Sequence, residues 1–305
     1  MRRVLLVALL AGCATADGPS VLPPPGPDPV TPLPLDVSGW VNSSDGTIPL
    51  VIIAPHGGDL APTELPDRDC AGCETVNDAN TQALALEIAD AFERRVGRRP
   101  FVVINRLHRR KFDANRDQGE ATDDHAPLFP LWTLFHQRID SAKARALRVH
   151  TRALVIDLHG HAHAVPRLEL GYLLSAANLR LPAAQLRPFL FASSIAGLDS
   201  TSVVGDSGIA LLTGPRALGT RLAALGYPAV PSATDPAPLL GESYFNGGFN
   251  TARHGSQAGG AVDAVQIECN FTGVRDTATS RTVFADALVT ALLAYFDDHY
   301  DWSPA

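Results

Sequence analysis

From Leu50 onward the chain alternates short apolar runs with longer helical stretches, and no other feature narrows its possible folds so far. The runs Leu50 to Ala54, Phe101 to Ile104, Ala153 to Leu158, Leu170 to Leu174, Ile209 to Leu212 and Val262 to Glu268 read as strands. Helical patterning covers Asp78 to Val96, about Leu131 to His150, Ala183 to Ala196, Arg216 to Leu225 and Ser280 to His299. Strands that alternate with helices predict an α/β domain, with a mostly parallel or mixed central sheet flanked by helices. Sheets of this kind bind ligands beyond the carboxyl ends of their strands.

Three of the runs end in residues capable of chemistry. They are Ile53-Ala54-Pro55-His56-Gly57-Gly58-Asp59, Ile156-Asp157-Leu158-His159-Gly160-His161-Ala162-His163 and Gln266-Ile267-Glu268-Cys269-Asn270. If these strands are neighbours, His56, His159 and Glu268 meet at one rim. Two neutral imidazoles and a carboxylate are the usual protein set for a catalytic zinc that keeps one position open for water. Such a water needs a nearby carboxylate to take its proton. Asp157 stands two residues before His159, so in a strand both point to one face and the carboxylate can orient the imidazole. His161 and His163 read equally well as further ligands or as an exposed loop. Two candidates stay open for the third ligand. Asp59 follows His56 by three residues, and Asp78 opens the next helix, where an aspartate also serves as N-cap.

The stretch Asn105 to Arg116 carries six cations or potential cations, in a chain of net charge −7. Guanidinium groups suit two-pronged recognition of a carboxylate, so a substrate carboxylate is the simplest partner. The acidic balance leaves no basic surface for nucleic acid.

The N-terminus reads Met1-Arg2-Arg3, an apolar run from Val4 to Leu10, then Ala11-Gly12-Cys13. That is the pattern of an export signal, too short to span a bilayer as a helix. Leu-Ala-Gly-Cys matches the bacterial lipoprotein box, so Cys13 is expected to carry a lipid anchor, the chain's one contact with a membrane. Residues 1–13 are then the signal, residues 14–46 a Pro/Gly-rich tether, and residues 47–305 a single domain. Export also permits Cys70 and Cys73 to close a small disulfide, with Cys269 left as a buried thiol.

Taken together, these residues resemble the N-formylglutamate amidohydrolases, a branch of the zinc carboxypeptidase-like superfamily. The matching pieces are Pro55-His56-Gly57-Gly58, Arg109 with Asp113-Ala114-Asn115-Arg116, Asp157-Leu158-His159-Gly160, Asn246-Gly247-Gly248-Phe249-Asn250 and Ile267-Glu268-Cys269-Asn270. The resemblance implies a phosphorylase/hydrolase-like domain with one zinc at the ends of the central strands. It favours Asp78 over Asp59 as third ligand beside His56 and His159, and makes Glu268 the carboxylate that activates water. It also implies that Arg109, Asn115 and Arg116 hold the substrate carboxylate. Gly247 and Gly248 would belong to a loop that closes over the substrate, with Arg253 or His254 aiding the transition state.

The implied activity is zinc-dependent hydrolysis of an amide bond in a small molecule or short peptide bearing a carboxylate. Glu268 would take the water's proton and pass it to the leaving nitrogen. Enzymes of histidine breakdown belong in the cytoplasm, whereas this chain carries an export signal, so shared chemistry on a different substrate is the expectation. An envelope metallo-carboxypeptidase or peptidoglycan amidase is an alternative, and so is a non-catalytic envelope lipoprotein.

Overall fold

The computed structural model describes residues 36–257 and 259–304, so Cys13, the expected export signal and the first part of the expected tether lie outside the described residues. A 3-10 turn at Ser38–Trp40 leads into β1 (Val41–Ser44), followed by β2 (Leu50–Ala54), α1 (Thr81–Val96), β3 (Phe101–Asn105), α2 (Gln118–Thr122) and α3 (Phe129–Leu147). Then come β4 (Ala153–Gly160), β5 (Leu168–Gly171) and the short helices α4 (Ala176–Leu179), α5 (Ala183–Leu190), α6 (Leu198–Thr201), α7 (Ala210–Thr213) and α8 (Leu218–Ala224). The chain finishes with β6 (Ala229–Val230), α9 (Phe249–His254), β7 (Val262–Cys269) and α10 (Ala278–His299). Local chemistry sets several boundaries. Gly97, at φ +67°, ends α1 with its N–H on the Glu93 carbonyl, and the Thr277 side chain caps α10 by accepting from the Ser280 N–H. No described helix is long and apolar enough to cross a membrane.

The sheet has seven strands in the order β1-β3-β2-β4-β7-β5-β6. The strands β3, β2, β4 and β7 run parallel to one another, while β1 and β5 join antiparallel. The mixed α/β architecture expected from the alternation is the one present. The strands that carry His56, His159 and Glu268 are consecutive, β2-β4-β7.

Pleating sorts the side chains. Leu50, Ile52 and Ala54 of β2, Leu154, Ile156 and Leu158 of β4, and Val265, Ile267 and Cys269 of β7 fill one core with α1 and α10. Val51, Ile53, Ala153, Val155 and Ala264 fill the opposite core with α3. Because successive side chains alternate between faces, Asp157, His159, Gln266 and Glu268 follow the second set. They continue its face past the apolar part, at the carboxyl end of the strands. Fully burying each Ile or Leu of these cores contributes roughly 1.5–3 kcal/mol, and that burial fixes which way the polar residues point.

Three expectations need correction. The tether does not run to residue 46, because β1 pairs with β3 from Val41↔Asn105 to Ser44↔Val102. Val41 and Trp40 pack on the α3 core, a tertiary contact that Pro/Gly-rich composition upstream does not reveal. Ile209 to Leu212 is the helical turn α7 and no strand, with Leu211 and Leu212 buried; a four-residue apolar run between glycines fits either state. Thr251, Arg253 and His254, expected in the closing loop with Gly247 and Gly248, lie in the helix α9.

Candidate metal centre and its cavity

The chain turns at Pro55 as it leaves β2, which puts His56 at the carboxyl end of the sheet beside β4. His56 and His159 are both buried, their rings 4.7 Å apart and nearly perpendicular. The Nε2 of each faces a carboxylate that is itself fully buried. His56 Nε2 lies 2.6 Å from Asp113 Oδ1, and His159 Nε2 lies 2.9 Å from Asp157 Oδ1. In a neutral ring the one proton belongs on the nitrogen with the closer carboxylate, which is Nε2 in both histidines, and Nδ1 then turns a lone pair the other way. Both lone pairs point at one atom, Asp78 Oδ2, at 3.3 Å from His56 and 3.1 Å from His159.

With both rings neutral, three acceptors converge within 4.8 Å of one another, in a site almost sealed from solvent. That arrangement is unfavourable unless a cation or a proton fills it. Two imidazole nitrogens and a carboxylate oxygen, each imidazole backed by a second carboxylate, are the donor set and outer shell of a zinc site. The residues present therefore fit the metal that the sequence implies. Without a metal, a proton does the same work. Burial alone would lower His159, but Asp157, Asp78 and Glu268 outweigh it and hold the imidazole well above its ordinary value. Burial likewise would raise Asp78, and His56 and His159 instead pull it far below the usual carboxylate range.

Asp78 precedes α1 and its side chain does not cap the helix; Asn80 holds the N-cap position, at φ +69°. Asp59, the other candidate ligand, is exposed and outside the cluster. Asp78 is held toward the rings by the Gly160 N–H, 3.2 Å from Oδ2, and by Arg109 Nη1, 3.5 Å from Oδ1. Arg109 also donates from Nε to Asp113 Oδ2 at 3.1 Å, so two of its directions serve carboxylates of the cluster. Elsewhere in the cationic stretch, Lys111 donates to the Leu65 carbonyl and Arg106 to the Gly39 carbonyl. Of the arginines that line the cavity Arg116 is the least committed: it donates to the Asn115 carbonyl, lies 3.7 Å from Glu120 and is partly exposed.

A cavity of about 540 Å³ opens above the cluster, lined by His56, Asp78, Arg109, Asn115, Arg116, His159, Gly247, Gly248 and Glu268 among others. Glu268 is the Cα partner of His159 in the β4/β7 register, so both side chains rise from one level of one face. Its Oε1 accepts from Gln266 Nε2 at 2.8 Å, while Oε2 is buried without a partner. Burial, with Asp78, Glu169 and Asp157 nearby, pushes the Glu268 carboxyl up to about 8. An unpartnered carboxylate oxygen beside a cation site is placed to hold a water or take its proton.

Gly247 and Gly248 line the cavity in close packing. Gly247 sits at φ +117°, and a Cβ on Gly248 would meet Asn115 Nδ2 at 2.4 Å. Immediately after them, Asn250 and Thr251 direct their side chains at Asp157, at 3.5 and 3.2 Å, and so brace the carboxylate behind His159. Arg253 and His254 are not brought to the cavity. Arg253 stacks over Trp132, and His254 meets His136 and Lys143 on α3. They share a helix face with Asn250 and Thr251 but stand one turn further along α9, where α3 and not the cavity is the neighbour.

Sequence reasoning missed Asp113 as a bracing carboxylate, although its spacing from Arg109 places it in a quoted motif. It also missed Arg275, which follows β7, lines the cavity and donates to the carbonyls of Cys269, Ala79 and His161. No pattern in the sequence marks that arginine. Cys70 and Cys73 are disulfide-bonded and Cys269 is buried and free. Arg68 ties the disulfide loop to the site, donating to the carbonyls of Glu74 and Arg109.

This is an α/β domain whose sheet ends in a buried His-Asp-His cluster with the donor set to hold a cation. Its fold is shared with the solved structure of gene product Atu2144 from Agrobacterium tumefaciens, at TM-score 0.50 and 12% identity over 83% of this chain and 94% of that one. An N-formylglutamate amidohydrolase from Ralstonia eutropha JMP134 aligns at TM-score 0.49 and 14% identity, covering 85% of this chain and 96% of that one. The N-acetylmuramyl-L-alanine amidase Ami1 from Mycobacterium smegmatis aligns at TM-score 0.38 and 17% identity over 83% and 99%. No protein-family model and no curated protein sequence matches the chain. The likeness to the Agrobacterium protein is one of fold.

Proposed function

We propose that the protein is a zinc-dependent hydrolase of an amide bond in a small carboxylate-bearing substrate, such as an N-formyl or N-acyl amino acid. The observation that carries this reading is the convergence of His56 Nδ1, His159 Nδ1 and Asp78 Oδ2 beneath a cavity that also holds the unpartnered Oε2 of Glu268. His56, Asp78 and His159 would hold the metal, with Asp113 and Asp157 fixing the ring tautomers. When bound, zinc supplies a Lewis acid for the scissile carbonyl and makes water more acidic.

The chain's own groups do the rest. Glu268 takes the proton of the attacking water, and a divalent cation nearby brings its raised carboxyl down toward the range in which it is ionised and able to do so. Arg116, which has fewer internal partners than Arg109, takes the substrate carboxylate, with Asn115 beside it. The sequence resemblance supports the same roles for Glu268, Asn115 and Arg116. With the expected export signal and the Cys13 anchor, the setting is the cell envelope.

Metal analysis and N-acyl amino acid hydrolysis, on wild type and Glu268→Gln, test this reading. The expected result is about one zinc per chain in both proteins and a loss of turnover of about 10²–10⁴-fold in the variant. An active Glu268→Gln protein would overturn the assignment, and a wild type that binds no metal would overturn the function.

A further inference from the structure

Across the sheet, Glu268 has a second partner at the same level: its Cα pairs with that of Glu169 in the antiparallel β5/β7 register. His159, Glu268 and Glu169 therefore form a row over three adjacent strands, with Glu169 on the side away from the metal ligands. Glu169 is fully buried and both its oxygens are engaged. Oε2 accepts the Phe245 N–H at 2.7 Å, and Oε1 faces His163 Nδ1 at 2.8 Å. The His163 ring is held on its faces as well, stacked on Phe245 with centroids 4.5 Å apart and planes at 25°. Its backbone N–H is fixed on His161 Nδ1 at 3.0 Å. His163 and Phe245 both line the cavity. The ring is thus locked by a buried carboxylate on Nδ1, and Nε2 is the edge left for a substrate.

His161, His163 and Glu169 also lie close enough together to suggest a second metal site. The hydrogen bonds speak against it. His161 donates from Nε2 to the Arg167 carbonyl at 2.8 Å and accepts at Nδ1, so neither nitrogen has a lone pair to give.

We propose that His163, positioned by Glu169, is the proton donor to the leaving nitrogen. This rests on the amide hydrolysis proposed above and replaces the expectation that Glu268 alone carries the proton across. A carboxylate-oriented imidazole open to a substrate cavity is the arrangement that general acid catalysis requires. In the charged ring, Nδ1–H donates to Glu169 and Nε2–H to the substrate. As the C–N bond breaks, its electron pair goes to nitrogen, which takes the Nε2 proton and leaves as the amine. The neutral ring regains a proton from solvent through the cavity, and Glu268 returns the water's proton to solvent in the same turnover.

The test compares leaving groups. One acyl group is placed on an amino acid and on the matching mercapto acid, because a thiolate departs without a proton and an amine does not. His163→Gln and Glu169→Gln are expected to lower kcat on the amide by about 10²-fold or more, with KM little changed and less than about tenfold loss on the thioester. Zinc content is expected to stay at the wild-type value in both variants. Equal losses on the two substrates, a change confined to KM, or loss of metal from His163→Gln would each overturn the proposal. A wild type that cleaves neither substrate sinks the amide-hydrolase reading itself, and that result is read without any variant.

Discussion

A histidine becomes a metal ligand through what holds its far nitrogen. In the proposed metal site Asp113 and Asp157 would do this for His56 and His159, and each would do more than orient. By fixing the proton on Nε2 they force the lone pairs onto Nδ1 and toward Asp78. Asp157→Asn keeps the shape, but its amide can present N–H to Nε2 and reverse the tautomer. Metal affinity is expected to fall by about 10–100-fold, measured by chelator competition, with the fold retained. An unchanged affinity would mean that the ring is held by its packing alone. At this scale the sequence was partly legible. Asp157 was readable because it is two residues from His159 in one strand, whereas Asp113 lies 57 residues from His56 and meets it only in the fold.

Among the elements, α9 and the glycines before it form the brace of the site. Asn115 accepts the Asn250 N–H through Oδ1 and sits against Gly248, while Asn250 and Thr251 hold Asp157. The Gly-Gly segment is therefore a spacer of fixed thickness between Asn115 and helix α9. Gly248→Ala must push Asn115 aside, since the new Cβ would lie 2.4 Å from its Nδ2. Overpacking of this kind costs about 1–3 kcal/mol, and the expected outcome is a lower Tm together with a raised KM. A KM at the wild-type value would remove Asn115 from substrate binding. The two-residue β6 and the turn α7 were not legible in the sequence, because segments so short take their conformation from what they pack against.

For the whole molecule, the buried acid groups link metal, protons and stability. Glu268 titrates near 8 in the fold against an ordinary 4.5, so its raised value favours the fold fully below about pH 4.5 and that contribution is lost as pH rises through 8. His159, also raised, acts in the same direction at still higher pH. The metal-free protein is thus expected to lose Tm between about pH 4.5 and 8, and Glu268→Gln to flatten that loss. A slope unchanged in the variant would place the titrating group elsewhere. Zinc at about 100 times its dissociation constant adds roughly 2.7 kcal/mol, a rise in Tm on the order of 5–10 °C for a domain this size. Thermal melts with and without chelator read both effects.

What the sequence determined by itself is the local chemistry. Apolar runs with period-two neighbours fix the strands and the face on which Asp157, His159, Gln266 and Glu268 stand. The polar residues just past each run mark the rim of the sheet. Strand order, and with it the meeting of residues far apart in the chain, was decided by the tertiary structure. Asp78 over Asp59, Asp113 behind His56, and Glu169 beside Glu268 all depend on which strands and loops became neighbours. The physical reason is that burial and hydrogen bonding act between side chains in space. A one-dimensional pattern specifies which groups seek partners, and only the packed sheet specifies which partners they find.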